Sequence, residues 1–454
     1  MTVSSPSPSR LCLDECFHLV ESQCFSALGQ TDRIGLELEM LVTKSQESIP
    51  LPKLQELLQE NLPLRPVYDG DVVVALSWKD QPEAGALTFE PGGQLEIATE
   101  PEASIQDVEK TLKALQNKLD TCFEPHGIQA LQVGTNPWEK AEKIGLRLAK
   151  SRYKAMDRHF QNIGPWGRVM MRQTMTVQVC LDFGPDQESM LHRYLASQLI
   201  SPFAAAMFAN STFLNGKQTD NVGTRTQSWY ELDKTRTGYP GLDSLVKHLH
   251  YKTCVQSYVD AVLDARVVYI AALQYENPDK PITMREWIRD GYKGVYPEQK
   301  DFEQHLSLMF PEVRPKGFLE LRSVDGQLRS LQMMPAAFFV GLLYDKNNVH
   351  KTLEVLQPEY SLHAESVFQA RFGLENDRVA RVTQILCQLA MEGLERQGFS
   401  EYREKLELFY ERYTSQRLTP ANDVLKWADG RVITDKKLNE LDAWWQNRIQ
   451  KGKL

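Results

Sequence analysis

The chain has 454 residues, 42% of them hydrophobic and 25% charged, which are ordinary globular values and leave room for two or three domains or one large one. With 52 Lys and Arg against 60 Asp and Glu, the net charge of −8 disfavours a nucleic-acid binder, and the sole basic cluster is the short tail Lys451-Gly452-Lys453. No apolar run approaches the ~20 residues of a membrane helix, and Met1 to Arg10 is Ser- and Pro-rich without the basic and apolar regions of a secretory signal.

Residues Pro8 to Leu28 read as a helix, with Leu13, Phe17, Val20, Cys24 and Leu28 at helical spacing. Strict alternation then marks Ile34 to Met40 as a strand. Ile34, Leu36, Leu38 and Met40 share one face, and Glu37 and Glu39 share the other. Val72 to Trp78 is a further strand. Leu87 to Glu90 and Gln94 to Ile97 form two short strands around the turn Pro91-Gly92-Gly93. Ser104 and Asp107 resemble a capping box opening a helix to Cys122, with the stripe Ile105, Val108, Leu112, Leu115 and Leu119. Met170 to Phe183 reads as one long strand. Arg172, Thr174, Thr176 and Gln178 lie on one face, with Met171, Met175, Val177, Val179 and Leu181 on the other.

Gln187 to Asn210 reads as a buried helix broken or bent at Pro202, and Phe318 to Ser323 as a short strand with Glu320 and Arg322 on one face. From Asp377 the chain is mostly helical, through Leu394, then Tyr402 to Tyr413, then Pro420 to Trp427, with Asp423 helping to start the last helix. Irregularly interspersed strands and helices indicate an α+β fold with an antiparallel sheet. The whole of 1–454 is expected to be a single domain with a helical C-terminal subdomain over 375–454.

Seven scattered cysteines (Cys12, Cys16, Cys24, Cys122, Cys180, Cys254 and Cys387) contain no C-x-x-C pair. They indicate free thiols in a reducing cytoplasm rather than a zinc site or a disulfide framework.

The acidic strand residues are the informative ones, because Glu is uncommon in strands and rarely buried without a partner. For any one Glu-x-Glu strand, the solvated face of an antiparallel sheet is the simpler explanation. Several such segments, each beside Gly, Arg or Thr, make a crowded carboxylate surface whose repulsion calls for a cation. Mg²⁺ suits it, as a hard ion shared between carboxylates and phosphates. No G-x-x-x-x-G-K-[ST] or strand-following G-x-G-x-x-G offers another phosphate site.

Leu87-Thr88-Phe89-Glu90-Pro91-Gly92-Gly93-Gln94-Leu95-Glu96 resembles the F-E-P-G-G-Q-x-E signature of plant-type glutamate–cysteine ligases. Met170 to Phe183 resembles that family's M-M-x-x-T-x-T-V-Q-x-x-L-D-F segment. Phe208 to Ser211, Thr224 to Trp229, Asp233 to Gly238 and Leu418 to Ala421 also match. The resemblance runs from about Gly35 to Gly430 and implies a glutamine synthetase-like fold: a curved, mostly antiparallel sheet forming a funnel, with helices packed outside. It implies ATP-dependent joining of the γ-carboxylate of glutamate to the amine of cysteine, serving glutathione or ergothioneine synthesis. A different amine acceptor, or a small-molecule phosphotransferase, is the alternative.

Carried over by position, the resemblance makes Glu37, Glu39, Glu90, Glu96, Gln178 and Glu320 the Mg²⁺ ligands. Arg225 grips substrate glutamate, Arg172 and Arg236 contact glutamate or phosphate, and Arg322 stands beside the last metal ligand. Arg152 and Tyr153 fall near the substrate funnel, with Ser151 where the family has Gly, and Thr174, Thr176 and Trp229 complete the binding candidates. Trp229, Tyr230 and Trp78 are aromatic enough to stack on adenine, against the simpler reading as core packing. His159, His248 and His250 have the chemistry of metal ligands, but His248 and His250 lie two apart on an expected helix and face different ways, which favours a solvated role. Expected partners are the small molecules glutamate, cysteine and ATP, with no nucleic acid and no membrane, in a monomer or weak homodimer.

Overall fold

The computed structural model describes residues 10–26, 28–29, 32–79 and 85–452. Pro8, Ser9, most of the Ser- and Pro-rich start and Lys453 of the basic tail lie outside them.

Ten strands form one open sheet: β1 Ile34–Lys44, β2 Glu47–Ser48, β3 Leu64–Asp69, β4 Val72–Trp78, β5 Ala86–Phe89, β6 Leu95–Ala98, β7 Gln129–Leu131, β8 Val177–Leu181, β9 Val313–Pro315 and β10 Leu319–Leu321. The order is β9-β10-β8-β1-β6-β5-β4-β3, with β2 and β7 on the far half of β1, and every pairing is antiparallel. The fold is mixed α and β with helices around the sheet, as the patterning indicates.

The alternation in β1 decides which way the sheet faces. Ile34, Leu36, Leu38 and Met40 are buried with Val177, Val179 and Leu181 of β8, Leu95 and Ile97 of β6, and Leu319 and Leu321 of β10. Burying each such side chain is worth about 1.5–3 kcal/mol, so this face is fixed against the helices and the other is left to the polar residues. The helix Ile105–Phe123 covers it with the expected stripe, all five positions at 3% exposure or less. Ser104 caps that helix by accepting from Asp107 N at 3.1 Å. The short Asp107 carboxylate takes the Ser104 hydroxyl at 2.6 Å instead of reaching back to the backbone.

Several elements differ from the sequence reading. Met170 to Phe183 is not one strand: Trp166–Gln173 is a helix, and only Val177–Leu181 joins the sheet. Met, Arg and Gln are strong helix formers. Arg172 leaves the sheet face for a buried pair with Asp157. Thr174 and Thr176 make single bridges to Thr135 and Asp325. Near the start, the α-helix spans only Leu13–Val20 and relaxes into a π-turn over Glu21–Phe25; Leu13 is exposed at 47% while Cys16 and Val20 are buried.

The helix Gln187–Met207 runs unbroken through Pro202. The Gln198 carbonyl, which Pro202 cannot bond, meets His363 Nε2 at 3.4 Å. Asp423 sits in the first turn of Pro420–Ala428 but does not cap it. Thr419 and Asn422 cap Pro420–Ala428, Asp423 binds Arg412 and the Tyr413 hydroxyl, and a further helix follows at Asp435–Lys451.

Candidate functional site

The polar face of the sheet carries the site, and strand register assembles it. Glu39 of β1 stands opposite Glu96 of β6, which stands opposite Thr88 of β5. On the other side, Glu37 stands opposite Gln178 of β8. Glu320 of β10 faces Cys180 of β8 across one pairing and Arg314 of β9 across the other. Glu90 follows β5 directly. Its N–H donates to Gln94 O at 3.0 Å, and its own carbonyl accepts from Gly93 N at 2.8 Å, closing the Pro-Gly-Gly turn. Gly93 has φ +84°, and a Cβ on Gly92 would lie 2.5 Å from the Arg172 backbone. Only glycines let this turn seat itself against the helix Trp166–Gln173.

Glu37, Glu39, Glu90, Glu96, Gln178 and Arg225 line a cavity of about 290 Å³, whereas Glu320, the remaining expected metal ligand, is not part of its lining. Arg152, Tyr153, Thr174, Thr176, Trp229 and Arg322 line it too. Ser151 opens the helix Ser151–Gln161 and so places Arg152 and Tyr153 at the rim in its first turn. A larger groove, about 670 Å³, runs along the Leu13–Val20 helix beside Tyr251 but gathers no such set of charges.

Oxygens of Glu39, Glu90 and Glu96 all fall within 4.8 Å of one another. Glu39 Oε2 accepts from Thr176 N at 3.0 Å, and Glu96 Oε1 from the Thr88 hydroxyl at 2.5 Å. Neither contact neutralises a carboxylate. Burial and mutual repulsion therefore push Glu96 up to about 7 and Glu37 up to about 8, and raise Glu39 and Glu90 as well. Three crowded, mutually repelling oxygen donors, with Glu90 half-buried and Glu39 and Glu96 at 9% and 8% exposure, fit a hard divalent cation.

Glu320 differs. Fully buried, it is held by Arg314 at 2.6 and 2.9 Å, Lys316 at 2.9 Å and Arg322 at 2.9 Å, and these cations keep it well below the usual carboxylate range. Arg322 also donates to Gln178 Oε1 at 2.8 Å, and Gln178 Nε2 donates to Glu39 at 3.4 Å. A chain of contacts thus joins the cationic edge to the carboxylate cluster.

Two guanidinium groups approach the Trp229 ring, Arg225 at 5.6 Å and Arg322 at 5.5 Å from its centroid. Arg152 Nε, Arg322 Nε and Trp229 Nε1 are buried with no hydrogen-bond partner among the described residues. Donors of this kind suit an anionic ligand.

Two expected binding residues stand outside the cavity. Arg236 is fully buried on Asp233, Leu308 O and Arg266 O. Arg172 is held by Asp157 and Ala141 O. His159 pairs with Asp233 at 3.0 Å, Trp78 is core, and all seven cysteines are free. Arg314 and Lys316 were missed by the sequence reading. The turn Pro315-Lys316-Gly317-Phe318 held the signal, since a hairpin there sets Arg314 opposite Glu320.

The carboxylate cluster has a measurable signature. Folded Glu96 and Glu37, at about 7 and about 8, hold protons well above an unfolded value near 4.5. Over that interval the folded state binds more protons than the unfolded chain, so stability falls as pH rises through it. With chelator present, the melting temperature is expected to drop by a few degrees between about pH 6 and about pH 8.5, and millimolar Mg²⁺ to restore most of the loss at the upper pH. A melting temperature that is flat or rising with pH, and indifferent to Mg²⁺, contradicts this electrostatic account.

The family described as glutamate-cysteine ligase family 2 matches residues 33–430. The chain is 30% identical over 382 residues to a chloroplastic glutamate–cysteine ligase of Medicago truncatula, covering 82% of this chain and 72% of that one. With the Arabidopsis thaliana chloroplastic enzyme it shares 29% over 380 residues, covering 82% and 70%. The crystal structure of a glutamate–cysteine ligase from Francisella tularensis, in complex with AMP, has the same fold at a TM-score of 0.53, with 12% identity and 94% of each chain covered.

Proposed function

The chain belongs to glutamate–cysteine ligase family 2 and is a ligase, and we propose that it joins the γ-carboxylate of glutamate to the amine of cysteine at the expense of ATP. One observation carries this reading: carboxylates from β1, β6 and the end of β5 converge with Arg225, Arg322, Arg314 and Lys316 on a single cavity. A phosphoryl transfer between anions needs both charge signs side by side. The AMP bound by the Francisella tularensis relative supports a nucleotide substrate.

In the proposed sequence, a γ-carboxylate oxygen of glutamate attacks the γ-phosphorus of ATP, and ADP leaves. The cysteine amine then attacks the acyl carbon of the γ-glutamyl phosphate, losing a proton as phosphate departs. Glu39, Glu90 and Glu96, with Glu37 beside them, would hold Mg²⁺, which when bound neutralises charge on the phosphates. Arg225 takes the α-carboxylate of glutamate with its fork. Arg322, Arg314 and Lys316 meet the negative oxygens of the transferring group. Trp229, Phe310 and Met156 keep water from the acyl phosphate.

No protein nucleophile is called for. Cys180 is near, but burial beside Glu37 and Glu320 pushes its thiol well above the ordinary range. Most of the acceleration then comes from positioning and preorganised charge. Seven free thiols suit a reducing compartment such as the cytoplasm, although the plant relatives are named as chloroplastic. The dipeptide serves glutathione or ergothioneine synthesis on this reading.

ADP release should require glutamate and an amine together, and run fastest with cysteine, more slowly with 2-aminobutyrate. Release with glutamate alone points to a phosphotransferase. Release with other amines but not with cysteine overturns the acceptor assignment.

A further inference from the structure

Arg225 is 3% exposed, yet its guanidinium lines the cavity. A long cationic side chain so placed needs something behind it that fixes its direction and balances its charge. One support is a carbonyl: Arg225 Nη2 donates to Arg322 O at 2.6 Å. The other comes from the segment after β10. Asp325, 1% exposed, places Oδ1 3.8 Å from Arg225 Nη1. Its Oδ2 accepts from Asn210 N at 2.8 Å and from the Ser211 hydroxyl at 2.6 Å. Ser211 closes the loop, because its Oγ accepts the Arg225 backbone N–H at 2.9 Å.

The surroundings leave this carboxylate nowhere else to go. Asp325 bridges Thr176, and Gly326 N donates to Met175 O at 3.0 Å, so the backbone is pinned to the end of β8. Gly134 lies so close that a Cβ there would meet the Asp325 carboxyl and Ser211 Cβ at 2.8 Å. Oδ1 has no hydrogen-bond partner among the described residues, and Arg225 is the cation it faces. Neither Asp325 nor Ser211 lines the cavity.

We propose that Asp325, locked by Ser211 and the Asn210 N–H, is the positioning residue that aims the Arg225 fork at the carboxylate of substrate glutamate. This rests on the ligase reading and adds to it a specificity device built from residues that touch no substrate. It implies a selective defect: weakening Asp325 loosens the hold on glutamate and spares the sites for nucleotide and amine.

The test is steady-state kinetics on the full chain with Mg²⁺, ATP, glutamate and cysteine, comparing Asp325→Asn with the unmodified protein. The asparagine oxygen keeps the bonds from Asn210 N and Ser211, while its NH₂ turns a donor toward Arg225 in place of an anion. The KM for glutamate should rise about tenfold, the size of a modest charge-pair loss. kcat and the KM values for ATP and cysteine should stay within about twofold. Ser211→Ala should show the same selectivity at smaller size, and it decides the matter if Asp325→Asn fails to melt cooperatively. Unchanged glutamate KM in an active, folded variant, or equal rises in all three KM values, overturns the role of Asp325 alone. An unmodified protein with no glutamate-dependent ADP release instead overturns the ligase reading itself.

Discussion

Replacing Glu96 with alanine should cost about 10³-fold or more in kcat while leaving the fold intact, since lost stabilisation of phosphoryl charge is worth several kcal/mol. Glu96 is 8% exposed, but its side chain points into the cavity, not the apolar core, so truncation opens no core void. Without a bound cation, the carboxylate stands against Glu39 and Glu90. Removing it takes one negative charge out of a repelling set, and the chelator-treated variant should melt at or slightly above the parent temperature. Mg²⁺ should then raise that temperature less than it does for the parent. Activity assays and melts with and without Mg²⁺ read both effects. A Glu96→Ala variant with near-normal turnover removes the metal-ligand assignment. One that is inactive because it fails to fold shows that Glu96 is structural.

The two halves of this site were unequally visible in the amino-acid order. Glu37 and Glu39 announce themselves because the other face of their strand is uninterruptedly apolar, which fixes the strand's orientation. Glu90 and Glu96 do so because a Pro-Gly-Gly turn joins two short strands. Register is different: that Glu39 meets Glu96, and Glu37 meets Gln178, depends on pairings between distant segments that local pattern does not encode. Strand patterning pointed to a shared carboxylate face, and the family resemblance named these acids as one ligand set.

Local pattern also misled where two periods fit the same residues. Met170 to Gln173 passed for the start of a strand, yet these residues end the helix Trp166–Gln173, whose Arg172 finds Asp157 fifteen residues back. Strand β3 went unread because it is an edge strand, mostly exposed and carrying Pro66, so no alternation marks it. The helix Asp435–Lys451 also went unread, although Thr434 as its cap and Leu438, Leu441 and Trp445 as its buried stripe carried the signal. Asp325 gave no local sign, because its importance lies in facing Arg225 from 100 residues further along the chain.

Arg225→Ala should raise the KM for glutamate about 100-fold or more and the KM for ATP by far less. Losing a buried, bidentate, charge-assisted contact costs about 2–5 kcal/mol. The difference between the two KM values is what identifies the ligand, because Arg225 and Arg322 approach the same Trp229 ring and either guanidinium has the chemistry for carboxylate or phosphate. Alanine alone is an ambiguous probe. It strands Asp325 as a buried, unpaired carboxylate and removes the bond to Arg322 O, so part of its effect is disorder around the site. Arg225→Lys separates the two contributions. A lysine keeps a positive charge facing Asp325 but loses the planar fork. Its melting temperature should stay near that of the parent, while the glutamate KM rises with the same selectivity and to an intermediate degree. Equal increases for glutamate and ATP in the lysine variant would assign Arg225 to the phosphates, leaving the α-carboxylate to be recognised by another of the cavity's cations.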